Sequence, residues 1–182
     1  LCVNEKEDYC RFRHKGDTLI MASALVPSLF SGEESEALEM LETFQGKHLL
    51  GMAYEPLWPV RDMKEKAFYV VADPYVSLSD GTGIVHIAPA FGEDDARIGR
   101  EHDLPFVQLV NTQGRFVKGT LWEDIFIKDA DPLIIKELVS RDRMLKHGKI
   151  KHTYPFCWRC STPLLYVARP TWYIRTSQFK DR

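Results

Sequence analysis

The stretch Ser79-Asp80-Gly81-Thr82-Gly83-Ile84-Val85-His86-Ile87-Ala88-Pro89-Ala90-Phe91-Gly92-Glu93-Asp94-Asp95 constrains this chain more than any other. Turn formers from Ser79 to Gly83 feed a short β-branched run interrupted by one imidazole, and Pro89 ends that run before a glycine and three carboxylates. The pattern predicts a strand over 84–88 that delivers polar groups to its own end. After Phe91-Gly92 the pattern turns helical, so Glu93, Asp94 and Asp95 fall in a first turn, where the helix dipole favours anionic side chains. A ligand at that end would meet His86 and at least one carboxylate.

The rest of the chain has to supply a scaffold for this stretch. Its 182 residues suit one domain, and 45% hydrophobic with 27% charged residues is an ordinary globular composition. A net charge of -2 gives no dominating field for nucleic acid, so any RNA contact is local. No apolar run approaches the roughly 20 residues needed to cross a bilayer, which argues against a membrane partner. Leu1-Cys2-Val3-Asn4-Glu5 lacks a signal-peptide pattern and reads as the interior of a longer protein. Cysteines at 2, 10, 157 and 160 are too few and too uneven for a disulfide framework, so a reducing, cytoplasmic setting is expected.

Alternation from Tyr9 to His14, turn chemistry at Lys15-Gly16-Asp17 and an apolar run over Thr18 to Ala22 predict a hairpin. Helical stretches are expected at Ala24 to Phe30 and at Glu33 to Phe44, the second opened by Ser31 and Glu34 at capping-box spacing. Lys47 to Trp58 reads as an irregular strand, Arg61 to Lys66 as a charged connection, and Phe68 to Ala72 as a buried strand. Asp94 to His102 should form a helix ended by Leu104-Pro105, followed by a hairpin of Phe106 to Val110 with Arg115 to Val117. Asp131-Pro132 is expected to open the longest helix, running to about Lys146. No internal linker or repeat divides the chain.

Most of the polar features have plain structural readings. A lone imidazole such as His86 in an apolar strand is more often a hydrogen-bonded core residue, Asp94 and Asp95 are accounted for by the helix dipole, and Gly81-Thr82-Gly83 by a turn. Asp80-Gly81-Thr82-Gly83 has no second copy to complete an aspartic dyad. There is no Gly-x-Ser-x-Gly, no His-Glu-x-x-His and no P-loop, which removes the commonest nucleophile, zinc-protease and nucleotide-hydrolysis chemistries. Cys157-x-x-Cys160 has metal-ligand spacing, but a structural zinc needs four ligands, and Cys2 and Cys10 are not a second pair of that kind. His152 is a candidate third ligand.

Two blocks carry a resemblance. GTGIVHIAPAFGEDD (81–95) resembles the signature of the editing domain inserted into isoleucyl-tRNA synthetase, in which Gly-Thr-Gly, His-x-Ala-Pro and a Gly-x-Asp-Asp or Gly-x-Glu-Asp helix start occur in this order. The tail, His152-Thr153-Tyr154-Pro155-Phe156-Cys157-Trp158-Arg159, with Thr162-Pro163-Leu164 and Trp172-Tyr173, resembles the segment by which that insertion returns to the catalytic body. The valyl and leucyl relatives carry Gly-Thr-Gly and a Pro-Ala segment too, so His86, Phe91 and Gly92 are what favour the isoleucyl assignment.

The resemblance implies a mainly β domain with helices over residues 1–182, built on the closed β-barrel of the valyl, isoleucyl and leucyl editing domains, with about 152–182 as the return segment. It implies hydrolysis of valyl-tRNA(Ile), and of valyl-adenylate, with Asp95 binding the α-ammonium group and His86 shaping the pocket that rejects the larger side chain. Gly83, Val85, Ile87, Ala88, Phe91, Gly92 and Asp94 would line the substrate. Editing would need no cofactor. In some members a cysteine pair matching Cys157 and Cys160 is completed by another pair upstream, which makes these two at most half a zinc site of the full-length enzyme. The partners implied are the 3′ end of tRNA(Ile), valyl-adenylate and the rest of the synthetase chain. The family's threonine-rich peptide, another wall of the pocket, would precede Leu1, so the isolated chain is expected to be weak or inactive. The competing readings are valyl- or leucyl-type editing, and a non-catalytic zinc-binding interaction module built on Cys157, Cys160 and the aromatic tail.

Overall fold

Lys15 and Gly16 set the first hairpin. In the computed structural model, which describes residues 1–58, 66–148 and 153–180, they adopt φ of 50° and 93°, and a tight turn with both central residues at positive φ twists as its strands do. β2 (Asp8–His14) therefore pairs antiparallel with β3 (Asp17–Ala22), with Tyr9 opposite Ala22 and His14 opposite Asp17. A 3-10 turn at Ser23–Leu25 and α1 (Val26–Leu29) follow where helix was expected.

The helix expected over Glu33 to Phe44 is a correction. Only α2 (Glu33–Glu36) is helical, with no side-chain cap at its start, and β4 (Glu39–Gln45) occupies the second edge of β2. Arg11 faces Glu42 and Arg13 faces Glu39 across this pairing, each as an ion pair. Strand pairing with matched charges outweighs a weak helical preference.

Beyond β3 the wall continues through less regular bonds. Ala22 N–H donates to the Thr82 carbonyl (2.9 Å), and Cys2 and Val85 exchange bonds of 2.7 and 2.9 Å. β1 (Cys2–Val3) pairs parallel with β5 (Val71–Ala72). Residues 68–70 then bond 51–54, through Gly51 N–H to Val70 C=O, Val70 N–H to Met52 C=O and Tyr54 N–H to Phe68 C=O. The irregular strand expected in 47–58 is this segment, preceded by a 3-10 turn at Gly46–Leu49.

Hydrogen bonds thus order the wall as 39–45, 8–14, 17–22, 82–85, 1–3, 68–72 and 51–54. Among the described residues no ladder joins its two ends, so the closed barrel is not found. The strand expected at 84–88 shrinks to one bridge at Val85, because side chains take the bonds a neighbouring strand would use: Ile84 N–H goes to Thr82 Oγ1 (3.3 Å) and Ala88 N–H to Asp95 Oδ1 (3.0 Å).

Backbone proximity groups residues 1–89 with 93–106 as one compact unit, and 90–92 with 107–182 as another. The first has two apolar clusters. One contains Val3, Tyr9, Phe12, Met21, Leu25, Phe30 and Leu49, with the rings of Phe12 and Phe30 edge to face at 5.5 Å. The other contains Cys2, Val71, Val76, Ile87 and Ile98, and it is this one that seats the helix bearing the acidic motif.

In the second unit, Val110 opposes Phe116 across the expected 111–114 turn. α4 (Ile127–Ser140) starts earlier than Asp131-Pro132 predicts, because the Phe126 carbonyl accepts the Asp129 and Ala130 N–H groups (2.9 and 3.1 Å). Pro132 lies inside the helix and forgoes one intrahelical bond. The helix ends short of Lys146, where Asp142 turns to φ 53° and Arg143 N–H returns to the Leu138 carbonyl. The charged connection, apart from Lys66, and His152 lie outside the described residues. No described helix is long and apolar enough to cross a membrane.

Candidate functional site

The acidic motif is carried by α3 (Glu93–Glu101), as its first-turn carboxylates predict. The helix stops where Asp103 takes φ 51° and Leu104 N–H returns to the Gly99 carbonyl at 2.8 Å. Ile98 is fully buried. On the same face, a Cβ at Gly99 would stand 2.8 Å from the Pro89 ring, so the helix rests directly on the residue that ends the motif's extended run. From that seat Asp95, half-buried, reaches back to accept the Ala88 N–H at 3.0 Å. Ala88 lies two residues beyond His86, so one carboxylate ties the helix start to the imidazole-bearing segment.

His86 is exposed to solvent, yet burial by the surrounding protein pushes its pKa down. The Leu1 ammonium pushes it further down and the Asp95 carboxylate opposes both. Water reaches the ring while the protein disfavours its charged form, so the imidazole is mainly neutral at pH 7. Tyr75 is pushed up to about 12, first by burial and next by Asp95. Tyr75, His86 and Asp95 therefore share one electrostatic neighbourhood.

Asp94 is exposed and meets Arg97 at 3.4 Å. Arg97 makes its strongest contacts elsewhere, with Asp73: Nη1 to Oδ2 at 2.7 Å and Nη2 to Oδ1 at 3.1 Å, a two-pronged pair in which Asp73 is only 7% exposed. The Arg97 hydrogen bonds hold the Asp73 carboxyl below its ordinary range. Sequence reasoning missed Asp73, Tyr75 and Arg97. Only Arg97 left a signal, its spacing of three and four residues from Asp94 and Glu101.

The remaining predicted residues divide by what they touch. Ile87 packs into the core cluster with Ile98, and Val85 packs against the same cluster while bonding Cys2. Gly83 has φ 73°, and a Cβ there would stand 2.5 Å from that of Ala22; its carbonyl accepts the buried Tyr9 hydroxyl at 2.6 Å. This glycine sets how closely the turn approaches β3. Phe91 and Gly92 are half-buried members of the second unit.

Cys157 and Cys160 lie on a tight loop of the second unit, where Ser161 at φ 55° donates to the Cys157 carbonyl and Cys157 N–H donates to that of Thr162. The Cys160 thiol is pushed below its ordinary value, mainly by the Thr162 hydroxyl 3.1 Å away. Among the described residues no group of three or more His, Cys, Asp or Glu side chains is arranged to hold a metal ion.

No protein-family model matches the chain. It is 44% identical over 183 aligned residues to isoleucine–tRNA ligase of Clostridium acetobutylicum and 45% identical to that of Clostridium kluyveri, each alignment covering the whole chain. The cytoplasmic isoleucine–tRNA ligase of Saccharomyces cerevisiae is 38% identical over 96% of the chain. The chain spans about 17% of the length of each of these relatives. Among solved structures, the crystal structure of GlLeuRS-CP1 matches 82% of the chain and 78% of its own length, with TM-score 0.61 at 16% identity, a likeness of fold. From end to end, then, this chain is homologous to one region of the isoleucine–tRNA ligases, and it shares its fold with GlLeuRS-CP1.

Proposed function

We propose that this region hydrolyses the ester bond of valyl-tRNA(Ile), and the mixed anhydride bond of valyl-adenylate, within an isoleucine–tRNA ligase. Isoleucine and valine differ by one methylene, worth about 1–3 kcal/mol in a binding pocket. Isoleucine–tRNA ligase is itself the standard example of that limit, so the magnitude is general and not read from this structure. A second pocket that excludes isoleucine and hydrolyses what the first accepted in error supplies the missing discrimination.

The observation that carries this reading is the Asp95 carboxylate, held on the Ala88 N–H within electrostatic reach of His86. Every aminoacyl ester presents an α-ammonium group whatever its side chain, and a fixed carboxylate pairs with it. With Oδ1 on Ala88, Oδ2 is the oxygen to meet that cation. His86, neutral and set in the wall, limits the size of the side chain. Water is the nucleophile, oriented by backbone groups and substrate hydroxyls, and the residues gathered here supply positioning and electrostatics. The run of bonded segments from 39–45 to 51–54 supports the barrel scaffold of the family.

Zinc belongs outside this chemistry. Cys157 and Cys160 would furnish two of the four ligands of a structural site, the other two coming from elsewhere in the longer enzyme.

The test is Asp95→Ala in the full-length enzyme, assayed for deacylation of valyl-tRNA(Ile) and for aminoacylation with isoleucine. Loss of deacylation with valyl-tRNA(Ile) accumulating is expected; an unchanged deacylation rate overturns the assignment. Isoleucyl-tRNA(Ile) and threonyl-tRNA(Val) as substrates separate isoleucyl from valyl editing.

A further inference from the structure

We propose that Asp73 and Arg97 are positioning residues for Asp95, fixing the start of α3 to β1, the strand that also holds the backbone beside His86. The proposal rests on the reading of Asp95 as the carboxylate that meets the ammonium group.

The connection can be followed bond by bond. Asp73 follows β5 directly, and its N–H donates to the Val3 carbonyl at 3.0 Å, so its backbone is anchored on β1. β1 is also the strand that exchanges two hydrogen bonds with Val85, the neighbour of His86. One strand thus fixes both the backbone beside His86 and the backbone of Asp73. The Asp73 carboxylate is fixed in turn by the Tyr75 N–H, 2.8 Å from Oδ1, and both of its oxygens take the Arg97 guanidinium end on, through Nη1 and Nη2. A planar guanidinium on a planar carboxylate sets orientation as well as distance.

Arg97 is two residues beyond Asp95 and also meets Asp94 at 3.4 Å and Glu101 at 3.2 Å, so it grips its own helix before and after the Asp73 contact. The far end of α3 has separate ties, the Tyr69 hydroxyl on the His102 carbonyl (2.6 Å) and His102 Nε2 near the Ala72 carbonyl (3.3 Å). Toward its start, the side-chain ties found are Arg97 to Asp73 and Asp95 to Ala88. Neither Asp73 nor Arg97 touches substrate in this scheme. Their work is to keep Asp95 at a constant distance from the wall carrying His86, and binding of a small cation to a fixed carboxylate degrades quickly when that distance varies.

The experiment uses the full-length enzyme with Arg97→Gln, Arg97→Lys, Asp73→Asn and the reference Asp95→Ala. Steady-state deacylation of valyl-tRNA(Ile) is measured beside isoleucine aminoacylation and thermal unfolding. Arg97→Gln and Asp73→Asn are expected to raise the deacylation KM about tenfold, with kcat changed less than threefold and aminoacylation unaltered; these values follow from one weakened ionic contact. Arg97→Lys, which keeps the charge, should recover at least half of that loss, and the Asp73→Asn, Arg97→Gln double variant should be no worse than either single one. A merely structural role would lower the folded fraction and apparent kcat and leave KM alone, and that outcome overturns the proposal, as does a KM within twofold of the parent in both Arg97→Gln and Asp73→Asn. If a variant unfolds, Arg97→Lys decides by the same KM criterion, with a rise of two- to fivefold expected. Should Asp95→Ala leave deacylation intact, the reading of Asp95 itself fails. Should Asp95→Ala abolish it while Arg97→Gln and Asp73→Asn behave as the parent, only the positioning role fails.

Discussion

Gly83→Ala should destabilise the first unit severely, and the structure says by how much and why. The residue has φ 73°, where an L side chain costs about 1–2 kcal/mol. The added methyl would start 2.5 Å from the Ala22 Cβ and 3.2 Å from a Leu78 methyl; Leu78 can move, but Ala22 sits in β3, hydrogen-bonded on to Thr82. Overpacking of that kind costs about 1–3 kcal/mol, and the smaller entropy of the unfolded chain returns about 0.4–1 kcal/mol. A net loss of about 2–4 kcal/mol is a large part of the 5–15 kcal/mol typical of a domain. Urea titration of the 182-residue chain followed by circular dichroism measures it. Ala22→Gly provides the control: alone it should cost about 1–2 kcal/mol through the lost buried methyl and a strand glycine, but combined with Gly83→Ala it removes the collision. The double variant should therefore be more stable than the sum of the single effects by at least about 1 kcal/mol. Strict additivity, or a Gly83→Ala loss under about 0.5 kcal/mol, would refute the idea that this glycine is required by close packing against β3.

Other consequences follow from single contacts. The buried Tyr9 hydroxyl accepts the Asn4 N–H (3.0 Å) and donates to the Gly83 carbonyl, so Tyr9→Phe should cost about 1–3 kcal/mol in the same titration by stranding two backbone groups. His86 should titrate by NMR below its ordinary value near 6.5, and Asp95→Asn should lower the midpoint further, because the carboxylate favours the imidazolium; an upward move would place Asp95 outside its reach. Asp73 has its folded pKa depressed, so its contribution to stability is complete above the unfolded value of about 4 and is lost as pH falls through the folded one. Asp73→Asn should accordingly flatten the acid limb of stability below about pH 4 and leave its slope near neutrality unchanged, as measured by thermal melts across pH.

The legible part of this molecule was local. Lys15-Gly16 between alternating runs dictated the first hairpin, and three carboxylates after Gly92 dictated α3, because turn chemistry and helix-end electrostatics act within a few residues. What failed depended on partners distant in sequence. Residues 39–45 have no strong intrinsic preference and became a strand because β2 offered an open edge with Arg11 and Arg13 opposite Glu42 and Glu39. Residues 84–88 carry a strand-like sequence but lost their ladder when Asp95, from the next helix, took the Ala88 N–H.

The same distinction applies inside the candidate site. His86 and Asp95 stand nine residues apart and could be picked out together as one motif, whereas Asp73 is remote from both, in an Asp-Pro pair that reads as a turn. A motif records groups that must have a given chemistry, and Asp73 gains its importance from position: covered beside β5, bonded by Tyr75 and Arg97, and anchored through Val3 to the strand beside Val85. On the proposed function, the geometry required is a constant separation between the Asp95 carboxylate and the segment carrying His86, which is a property of the frame joining two segments, and no short stretch of either segment encodes it. If the site works as proposed, by positioning, that frame is where substitutions remote from the motif should alter selectivity between valyl and isoleucyl esters while leaving the motif intact.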